Sequence, residues 1–488
     1  MEQLPSAISA NIFGNNTLIS RESSILIDPA AQPNLPTLEE ARAASLTATL
    51  DLDNIQGDIL QKKKELFLFF SITNKVLFKQ KLRADIKNRV TTTTQLLSVS
   101  HQPVTALNVA FSRSGLDALE VPDMLNDIAF SGGQEADNAV LGDPGTDNWV
   151  DAFLDKKIHG VFLLASDTDA NLNSFLNDLR AILQGAIKEE YLLVGAARPG
   201  SEEGHEHFGF MDGISQPAVE GFNTPLPGQE KIPPGVILVG EDEDPISKRP
   251  EWARGGSFLA FRQLAQKVPE FNRFLTENPL LVPGLTREQG SALLGARMVG
   301  RWKSGAPIDL APRFDDPVLA RDPTRNNDFT FAHPGEDIAS DQTRCPFSAH
   351  IRKTKPRADF ASTDREHQII RAGIPYGPEV TPAEAASNIT TQERGLAFVA
   401  YQSSISNGFR FLQQAWANNP EFITGKIDDT PGFDPIIGAN KGQERSVSGL
   451  DPINPKRDFD LKTDFVVSRG GEYFFSAPIS ALSGVLAA

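Results

Sequence analysis

Residues 204–217 read GHEHFGFMDGISQP, a run in which glycines and a proline punctuate aromatic residues and a carboxylate, Asp212. Gly209 and Gly213 stand on either side of that carboxylate, which indicates backbone held close to a flat or bulky neighbour. Asp212 has apolar neighbours, so burial would desolvate it unless it found a partner. Such an aspartate is either a structural hydrogen-bonding centre or a working acid/base, and this run leaves both interpretations open.

The composition is that of an acidic globular protein. The chain has 488 residues, enough for two packed lobes, and 40% of them are hydrophobic. A net charge of −16 and a pI near 5.0 argue against a nucleic-acid partner and an anionic membrane surface, because phosphate contacts need clustered Lys and Arg. No run approaches the ~18 apolar residues of a membrane span. The single cysteine, Cys345, excludes a disulfide within the chain.

The apolar pattern predicts an α+β fold. Residues 1–52 show little periodicity and are predicted to form an extended leader. Next come predicted elements whose order, strand–helix–strand–strand–helix–strand, is typical of a ferredoxin-like lobe. The strands are expected at 65–72, 105–111, 161–166 and 191–195, and helices at 76–97, 114–119 and 167–184. These elements define a first lobe, residues 53–217, which ends with the Asp212 run.

The second half is less regular. Residues 218–255 are rich in Pro, Gly and acidic side chains and are predicted to connect the lobes along the surface. A second lobe, residues 256–488, is expected to begin with a strand at 256–262 and a helix at 268–278, with a further strand at 395–401. The long irregular region between them, 300–390, is where loops would carry chemistry.

Two histidine-containing segments could bind metal. His205 and His207 form an H-x-H pair, which on a strand would point to one face, but no third ligand is identifiable nearby. His350 lies in residues 344–357, RCPFSAHIRKTKPR, where one imidazole precedes four basic side chains. A haem needs an imidazole beneath its iron and cations for its propionates, and this segment offers both. A histidine at a polar helix end beside a solvated basic face fits the same letters.

Two later segments carry charged side chains in turn-like contexts. In residues 369–377, IIRAGIPYG, glycine and proline would hold Arg371 rigidly beside apolar isoleucines, and arginine can stabilise a peroxide anion without titrating. In residues 432–438, GFDPIIG, Asp434 could accept a hydrogen bond from a metal-ligating histidine and make it more basic. An aspartate before proline is equally typical of an ordinary turn.

Together these segments resemble the dye-decolorising peroxidases, fungal members in particular. The Asp212 run is similar to the family's GxxDG motif, residues 345–357 to its proximal-ligand segment and residues 369–377 to its distal-arginine motif. Residues 395–398, GLAF, resemble the strand that lines the distal pocket. The resemblance extends from about residue 53 onward and implies two ferredoxin-like lobes of antiparallel sheet and helices, with haem in the C-terminal lobe.

The resemblance also implies roles. His350 would be the proximal ligand of a haem b iron, Asp212 the distal acid/base and Arg371 the group that stabilises charge. Arg352 or Arg357 would meet a propionate, and the sequence does not distinguish them. Other residues expected around the cofactor are Ile214, Gln216, Leu396, Phe398 and Asp434. The expected reaction is reduction of hydrogen peroxide coupled to oxidation of bulky aromatic dyes and phenols.

Two other functions fit part of these residues. Cys345 could be a thiolate ligand, as in haem-thiolate enzymes, although a free cysteine is more often a buried apolar residue. A non-catalytic haem-binding or storage protein would need His350 but not Asp212 or Arg371. The resemblance implies an extracellular protein, while Met1–Pro5 lacks the start of a secretory signal and leaves the cytoplasm as the alternative. The chain is expected to be a monomer or a dimer, and oxidation of manganese is left open.

Dyes too large for a closed pocket would need an electron path through the protein. Trp416 lies in a predicted helical stretch with amide-rich ends and is the expected surface relay. Tyr376 follows Arg371 closely and is the second choice. Both residues could equally be packing residues.

Overall fold

The computed structural model describes residues 25–32, 35–123, 125–360, 364–426 and 430–488. Its centre is one antiparallel sheet closed into a barrel. The strands in chain order are β1 (Lys64–Ile72), β2 (Ala106–Ser112), β3 (Gly160–Ser166), β4 (Ile187–Ala196), β5 (Ser257–Gln266), β6 (Ile370–Arg371), β7 (Ile374–Tyr376), β8 (Gly395–Gln402) and β9 (Val466–Ser476).

Each half of the chain contributes one ferredoxin-like sheet. The first half pairs its strands in the order β4-β1-β3-β2, and the second in the order β9-β5-β8-β7, with β6 continuing the line of β7 along β8. The two sheets join where Phe474 pairs with Ser112 and where Gly195 pairs with Tyr376. The predicted α+β fold with two ferredoxin-like lobes is therefore confirmed, and the lobes share one sheet.

The barrel is built from strands that bury both faces. Phe67 and Phe69 of β1 point into the barrel, where they pack with Phe261 and Phe474. Because side chains alternate along a strand, Phe70 of the same strand faces outward, against the helices. An aromatic-rich run such as FLFFS can be paired and buried on both sides only in a closed or covered sheet.

Helices cover the outer face of the first half. The longest, Asp169–Leu183, begins with an N-cap bond from Asn171 N–H to Thr168 and buries leucines spaced three or four residues apart. The other α-helices are Leu38–Ala48, Lys75–Lys81, Thr93–Leu97, Arg113–Ala118, Ile128–Gly132, Gln134–Asp137, Val268–Glu277, Arg287–Val299, Pro317–Ala320, His350–Thr354, Pro382–Ser387, Phe409–Phe411 and Ile479–Ser483. No helix in the described part of the chain has both the length and the apolar character needed to cross a membrane.

Three sequence expectations need correction. The leader is not extended at Leu38–Ala48, a helix with a capping box whose Ala41 is buried; residues 1–24 and 33–34 of that prediction lie outside the described residues. The predicted helix at 76–97 is broken, because a π-helical turn at Leu82–Ile86 and a 3-10 turn at Lys87–Arg89 end at the extended residue Val90, before a separate helix begins at Thr93. Residues 218–255 are not purely a surface connection, since Ile232 and Val239 are buried.

Candidate active site

A central cavity of about 300 Å³ lies on the outer face of the second half of the barrel. Leu264, Leu396 and Phe398, outward-facing residues of β5 and β8, form its apolar floor. Loops from the irregular 300–390 region and the Asp212 run supply the remaining walls. Four residues that the sequence analysis expects around a cofactor line this cavity, namely Leu396, Phe398, Ile214 and Gln216.

The loop that carries Asp212 is tied at several points. Glu206 accepts hydrogen bonds from the N–H groups of Phe208 and Phe210, and Asp212 N–H donates to the carbonyl of Gly204. Gly213 has a φ of 80°, a conformation that favours glycine, and its N–H turns back to Asp212 Oδ1 at 2.7 Å. The glycine after the aspartate therefore holds that carboxylate in place.

Arg371 pairs with Asp212 across the cavity wall. Its Nη1 donates to Asp212 Oδ1 at 2.5 Å, and its Nη2 donates to the carbonyl of Ser215 at 3.2 Å. Gln216 fixes the backbone of Arg371, because its amide accepts from the Arg371 N–H at 3.0 Å and donates to the Arg371 carbonyl at 2.6 Å. Gln216 thus positions the arginine in addition to lining the cavity.

The pKa of Asp212 is lowered, so its carboxylate stays ionised at pH values below those at which an ordinary aspartate takes up a proton. Burial by itself would raise the pKa of Asp212, but the positive charge and hydrogen bond of Arg371, with the Gly213 N–H, outweigh it and lower that pKa. Both of these bonds use Oδ1. Oδ2 receives no hydrogen bond from the described residues, and the side chain is 37% exposed because it faces the cavity.

His350 approaches the same cavity from the first position of the helix His350–Thr354. Its Nδ1 donates to Asp434 Oδ2 at 2.8 Å, while Asp434 Oδ1 accepts the N–H groups of Ile436 and Ile437 at 2.8 and 2.9 Å. Burial lowers the pKa of His350, but the Asp434 charge more than compensates and leaves it raised. With Nδ1 held, Nε2 is the nitrogen available to the cavity.

Arg297 explains how an irregular loop can place His350. This buried guanidinium donates to the carbonyls of Gln342, Thr343 and Arg344 just before the His350 helix. It also donates to the carbonyls of Gly449 and Leu450. Five carbonyls converge on one side chain, so backbone that lacks regular structure is still satisfied and fixed.

Two arginines line the cavity without a carboxylate partner. Arg301 donates to the carbonyls of Gly305 and Asn326, and Arg357 donates to that of Phe329. Both guanidinium groups flank the Phe329 ring, and neither forms an ion pair within the described ranges. Burial, with the other arginine's charge, lowers the pKa of Arg301 to about 9, and burial lowers that of Arg357 to about 10. An anionic group in the cavity would give both guanidinium groups a direct ion-pair partner.

The structure separates the two arginines that the sequence left open. Arg352 does not line the cavity; it is buried against Asp359, to which its Nε and Nη2 each donate at 2.7 Å. The expectation of Arg352 as a cofactor-binding residue is therefore wrong. Arg357 does line the cavity. Arg301 was missed altogether, because a lone arginine after a helix carries no distinctive pattern.

Several other candidates lie away from the cavity. Cys345 is 1% exposed in an apolar cluster, burial raises the pKa of its thiol to about 12, and it does not line the cavity, so the thiolate-ligand alternative is not supported. His207 is buried and its Nε2 lies 2.9 Å from the Tyr376 carbonyl. No group of three or more His, Cys, Asp or Glu side chains among the described residues is arranged to hold a metal ion.

The two relay candidates are not at the surface. Trp416 is 3% exposed and packs against Phe422, Phe360 and Phe411, so its description as a surface relay is wrong. Tyr376 points into the barrel, where its hydroxyl donates to Glu393 at 3.1 Å. The amides near Trp416 indicated exposure, but Gln413 turns inward to bond Asn418 and the carbonyl of Ile437.

The residues around the cavity fit a haem. An imidazole nitrogen is open to the cavity, two arginines form no ion pair with any described residue, and the floor is apolar. These are the ligand, the propionate partners and the hydrophobic contact that a haem requires. Asp212 and Arg371 add a carboxylate and a fixed cation to the same cavity.

Comparisons with known proteins agree with this site. Residues 54–199 match the model of the DyP dimeric alpha+beta barrel domain, and residues 208–428 match that of the Dyp-type peroxidase, C-terminal. Peroxidase 2 of Mycetinis scorodonius is 55% identical over 96% of this chain and 93% of that protein. The dye-decolorizing peroxidase of Mycena epipterygia is 53% identical over the same shares.

A solved structure extends the likeness to the fold. The crystal structure of a fungal DyP-type peroxidase from Auricularia auricula-judae has a TM-score of 0.88 and 53% identity, covering 90% of this chain and 99% of that one. With both family models matched in order along the chain, the protein belongs to the DyP-type peroxidases, a family of haem-dependent, dye-decolorising enzymes.

Proposed function

We propose that this enzyme reduces hydrogen peroxide at a haem b held by His350, with Asp212 as its acid/base and Arg371 as its charge stabiliser. The observation that carries the proposal is that Asp212 Oδ2 and an imidazole nitrogen of His350 are both open to one cavity, which Arg301 and Arg357 also line. The bound haem iron would supply electrons for cleavage of the peroxide O–O bond.

The residues of the chain divide the remaining work. Asp212 Oδ2 takes a proton from one peroxide oxygen and returns it to the other, which leaves as water. Arg371 keeps that carboxylate ionised and offers a permanent cation where negative charge develops. Asp434 holds the His350 ring by accepting the Nδ1 hydrogen bond. This bond makes Nε2 more basic and therefore a stronger ligand for the iron. Arg301 and Arg357 would hold the propionates, a pair that replaces the sequence choice between Arg352 and Arg357.

The reductants in this proposal are bulky aromatic dyes and phenols. Leu396 and Phe398 close the floor of the cavity, so a large dye would deliver its electrons through the protein. Trp416 is the favoured carrier, as a buried relay rather than a surface one. His367 lines the cavity, and the centroid of its ring lies 5.4 Å from that of Trp416. The half-buried Phe360 and Phe411 pack around that tryptophan. Tyr376 stays the second choice.

An absorption spectrum of the purified holoenzyme, with and without added hydrogen peroxide, tests the proposal. We expect a haem spectrum with a histidine ligand that changes on peroxide addition and returns when a phenol is supplied. A haem spectrum that peroxide leaves unchanged would favour a haem-binding or storage protein. A strongly red-shifted carbon monoxide complex of the reduced protein would instead point to Cys345.

A further inference from the structure

A second depression, the outer cleft, adjoins the central cavity. It has a volume of about 830 Å³ and is lined by residues near the ends of β5 and β9, including Lys267 and Arg469. Asp143, Gln266 and Ser468 line both spaces, so a single layer of side chains separates the outer cleft from the central cavity. We call this layer, with Arg262 behind it, the partition.

The partition is polar although it is buried. Arg262 is 3% exposed, and its Nη2 donates to both carboxylate oxygens of Asp143, at 2.7 and 2.6 Å, and to Ser468 Oγ. Gln266 is 5% exposed, and its Nε2 donates to Glu206 Oε2. A wall that only closed the cavity would be better built from apolar side chains, because each buried polar group must find a partner.

Two atoms in the partition lack such a partner. Arg262 Nε, a donor, and Gln266 Oε1, an acceptor, are buried and form no hydrogen bond within the described part of the chain. A small molecule that both donates and accepts hydrogen bonds would satisfy them, and water and hydrogen peroxide have this property. The neighbouring Glu206 belongs to the loop that carries Asp212, so the polar groups continue toward the proposed acid/base.

From these contacts we infer that the partition is a passage by which hydrogen peroxide enters the central cavity from the outer cleft and water leaves it. This inference rests on the proposed function. The passage suits a small uncharged molecule, since a dye would have to break the Arg262–Asp143 ion pair. At Ser468 a larger side chain would narrow the passage without removing a charge, because among the described residues its hydroxyl accepts hydrogen bonds from Arg262 and from the Gly470 N–H.

Ser468→Leu tests the passage, with Val467→Leu as the matched control. Both variants add bulk on β9 beside the outer cleft, but Val467 does not line the central cavity. In the ferric holoenzyme, stopped-flow absorbance would measure the association rates of hydrogen peroxide and of cyanide. We expect Ser468→Leu to slow both by about tenfold, a barrier change of about 1.4 kcal/mol, and Val467→Leu to leave both unchanged.

Cyanide separates this inference from the proposed function, because it binds haem iron without peroxidase chemistry. A wild-type protein that binds cyanide but ignores peroxide would overturn the proposed function, while the cyanide rates would still test the passage. Wild-type rates for both ligands in a haem-replete Ser468→Leu would overturn the passage. If that variant does not fold, a high-resolution crystal structure of the holoenzyme decides instead. Ordered solvent on Arg262 Nε and Gln266 Oε1 is expected, and a dry partition would refute the passage.

Discussion

The two walls of the central cavity hold their carboxylates differently. Asp434, behind His350, is fully buried, and its two oxygens accept from the imidazole and from two backbone N–H groups. Asp212, opposite, accepts from Arg371 and Gly213 through Oδ1, and its Oδ2, which accepts from none of the described residues, is open to the cavity. A carboxylate whose two oxygens both accept hydrogen bonds can orient a neighbour but has little capacity to exchange protons. A carboxylate with one free oxygen can do both.

The pKa directions follow the same division. The pKa values of both aspartates are lowered against burial, Asp434 chiefly by His350 and Asp212 chiefly by Arg371. Arg371 is a permanent cation, so the charge that keeps Asp212 ionised does not depend on the protonation of another group. This difference predicts that changes on the His350 wall alter cofactor binding, while changes on the Asp212 wall alter the reaction.

The largest effect is expected from His350→Ala. The substitution removes the imidazole that would bind iron, so stable haem incorporation should be lost. Haem content by pyridine haemochrome and the position of the Soret band measure this directly. Asp434→Asn is the matched control. It keeps the imidazole but replaces the carboxylate that accepts the hydrogen bond of Nδ1 by a weaker amide acceptor, and haem affinity should fall about 10–100-fold. Full haem content with an unchanged Soret band in His350→Ala would show that another residue is the ligand.

Asp212→Asn should retain haem and lose the peroxide reaction. The amide keeps the size of the side chain but cannot take a proton, and loss of a positioned acid/base typically costs about 10²–10⁴-fold. Stopped-flow measurement of the peroxide step, with haem content determined on the same sample, gives the ratio of the variant rate to the wild-type rate. Asp212→Glu keeps the carboxylate and should retain more of the rate than the amide. A wild-type rate in Asp212→Asn would remove this residue from the mechanism.

Arg371 should set the acid limit of the peroxide step. An unperturbed aspartate titrates near ~3.9, and Arg371 lowers the pKa of Asp212, so the rate should persist below that range and fall as pH drops through the lowered pKa. In Arg371→Leu burial is opposed only by weaker interactions, such as the Gly213 N–H, so the pKa of Asp212 rises and the acid limb moves to higher pH. Arg371→Lys keeps a charge and should move it less. The pH profile of kcat/KM for peroxide is the measurement, and identical acid limbs in all three proteins would contradict this assignment.

The same coupling has a consequence for stability. A carboxyl whose pKa is depressed in the folded protein contributes stability above its ordinary pKa and loses it as pH falls through the depressed one. The contribution of Asp212 should therefore be present at neutral pH and disappear only in strong acid. Arg371→Leu should reduce it at neutral pH, a change that thermal unfolding of the apoprotein can detect without any contribution from haem.

Local sequence patterns predicted several strands of the barrel and several residues of the central cavity. Aromatic and β-branched runs identified β1, β3, β5 and β8, and the motif around Asp212 led to residues that do share a cavity. These patterns did not predict β9, because Gly470 and Gly471 interrupt the run at a bulge. Barrel closure depends on pairing between distant strands, such as Phe474 with Ser112, which leaves no local signal.

The failures at the site have a common cause. Arg352 and Arg357 look equivalent in sequence, and only tertiary contacts separate them: Asp359 captures the first, while carbonyl groups hold the second at the cavity. Trp416 looked exposed because amides surround it, yet those amides satisfy buried backbone. By contrast, the helix Arg287–Val299 could have been predicted, since Thr286 and Gln289 form a capping box visible in the sequence.

The smallest and most selective effect is expected at Trp416, which belongs to neither wall. Trp416→Ser should lower the turnover of bulky dyes and leave the peroxide step and small phenols nearly intact. The residue is buried among Phe360, Phe411 and Phe422, however, so truncation also leaves a cavity that costs about 3–5 kcal/mol. Loss of activity in this variant alone would not separate a relay from packing.

Trp416→Phe resolves that ambiguity. Phenylalanine keeps an aromatic ring in the cluster but is much harder to oxidise than indole, so a relay is lost while most packing stays. Steady-state rates with a large dye and with a small phenol, compared at equal haem content and thermal stability, give the selectivity. A relay predicts that the ratio of dye to phenol turnover falls in both Trp416 variants. If Trp416→Phe keeps the wild-type ratio and only Trp416→Ser loses activity, on both substrates alike, Trp416 is a packing residue and the electrons travel elsewhere, with Tyr376 the next candidate to test.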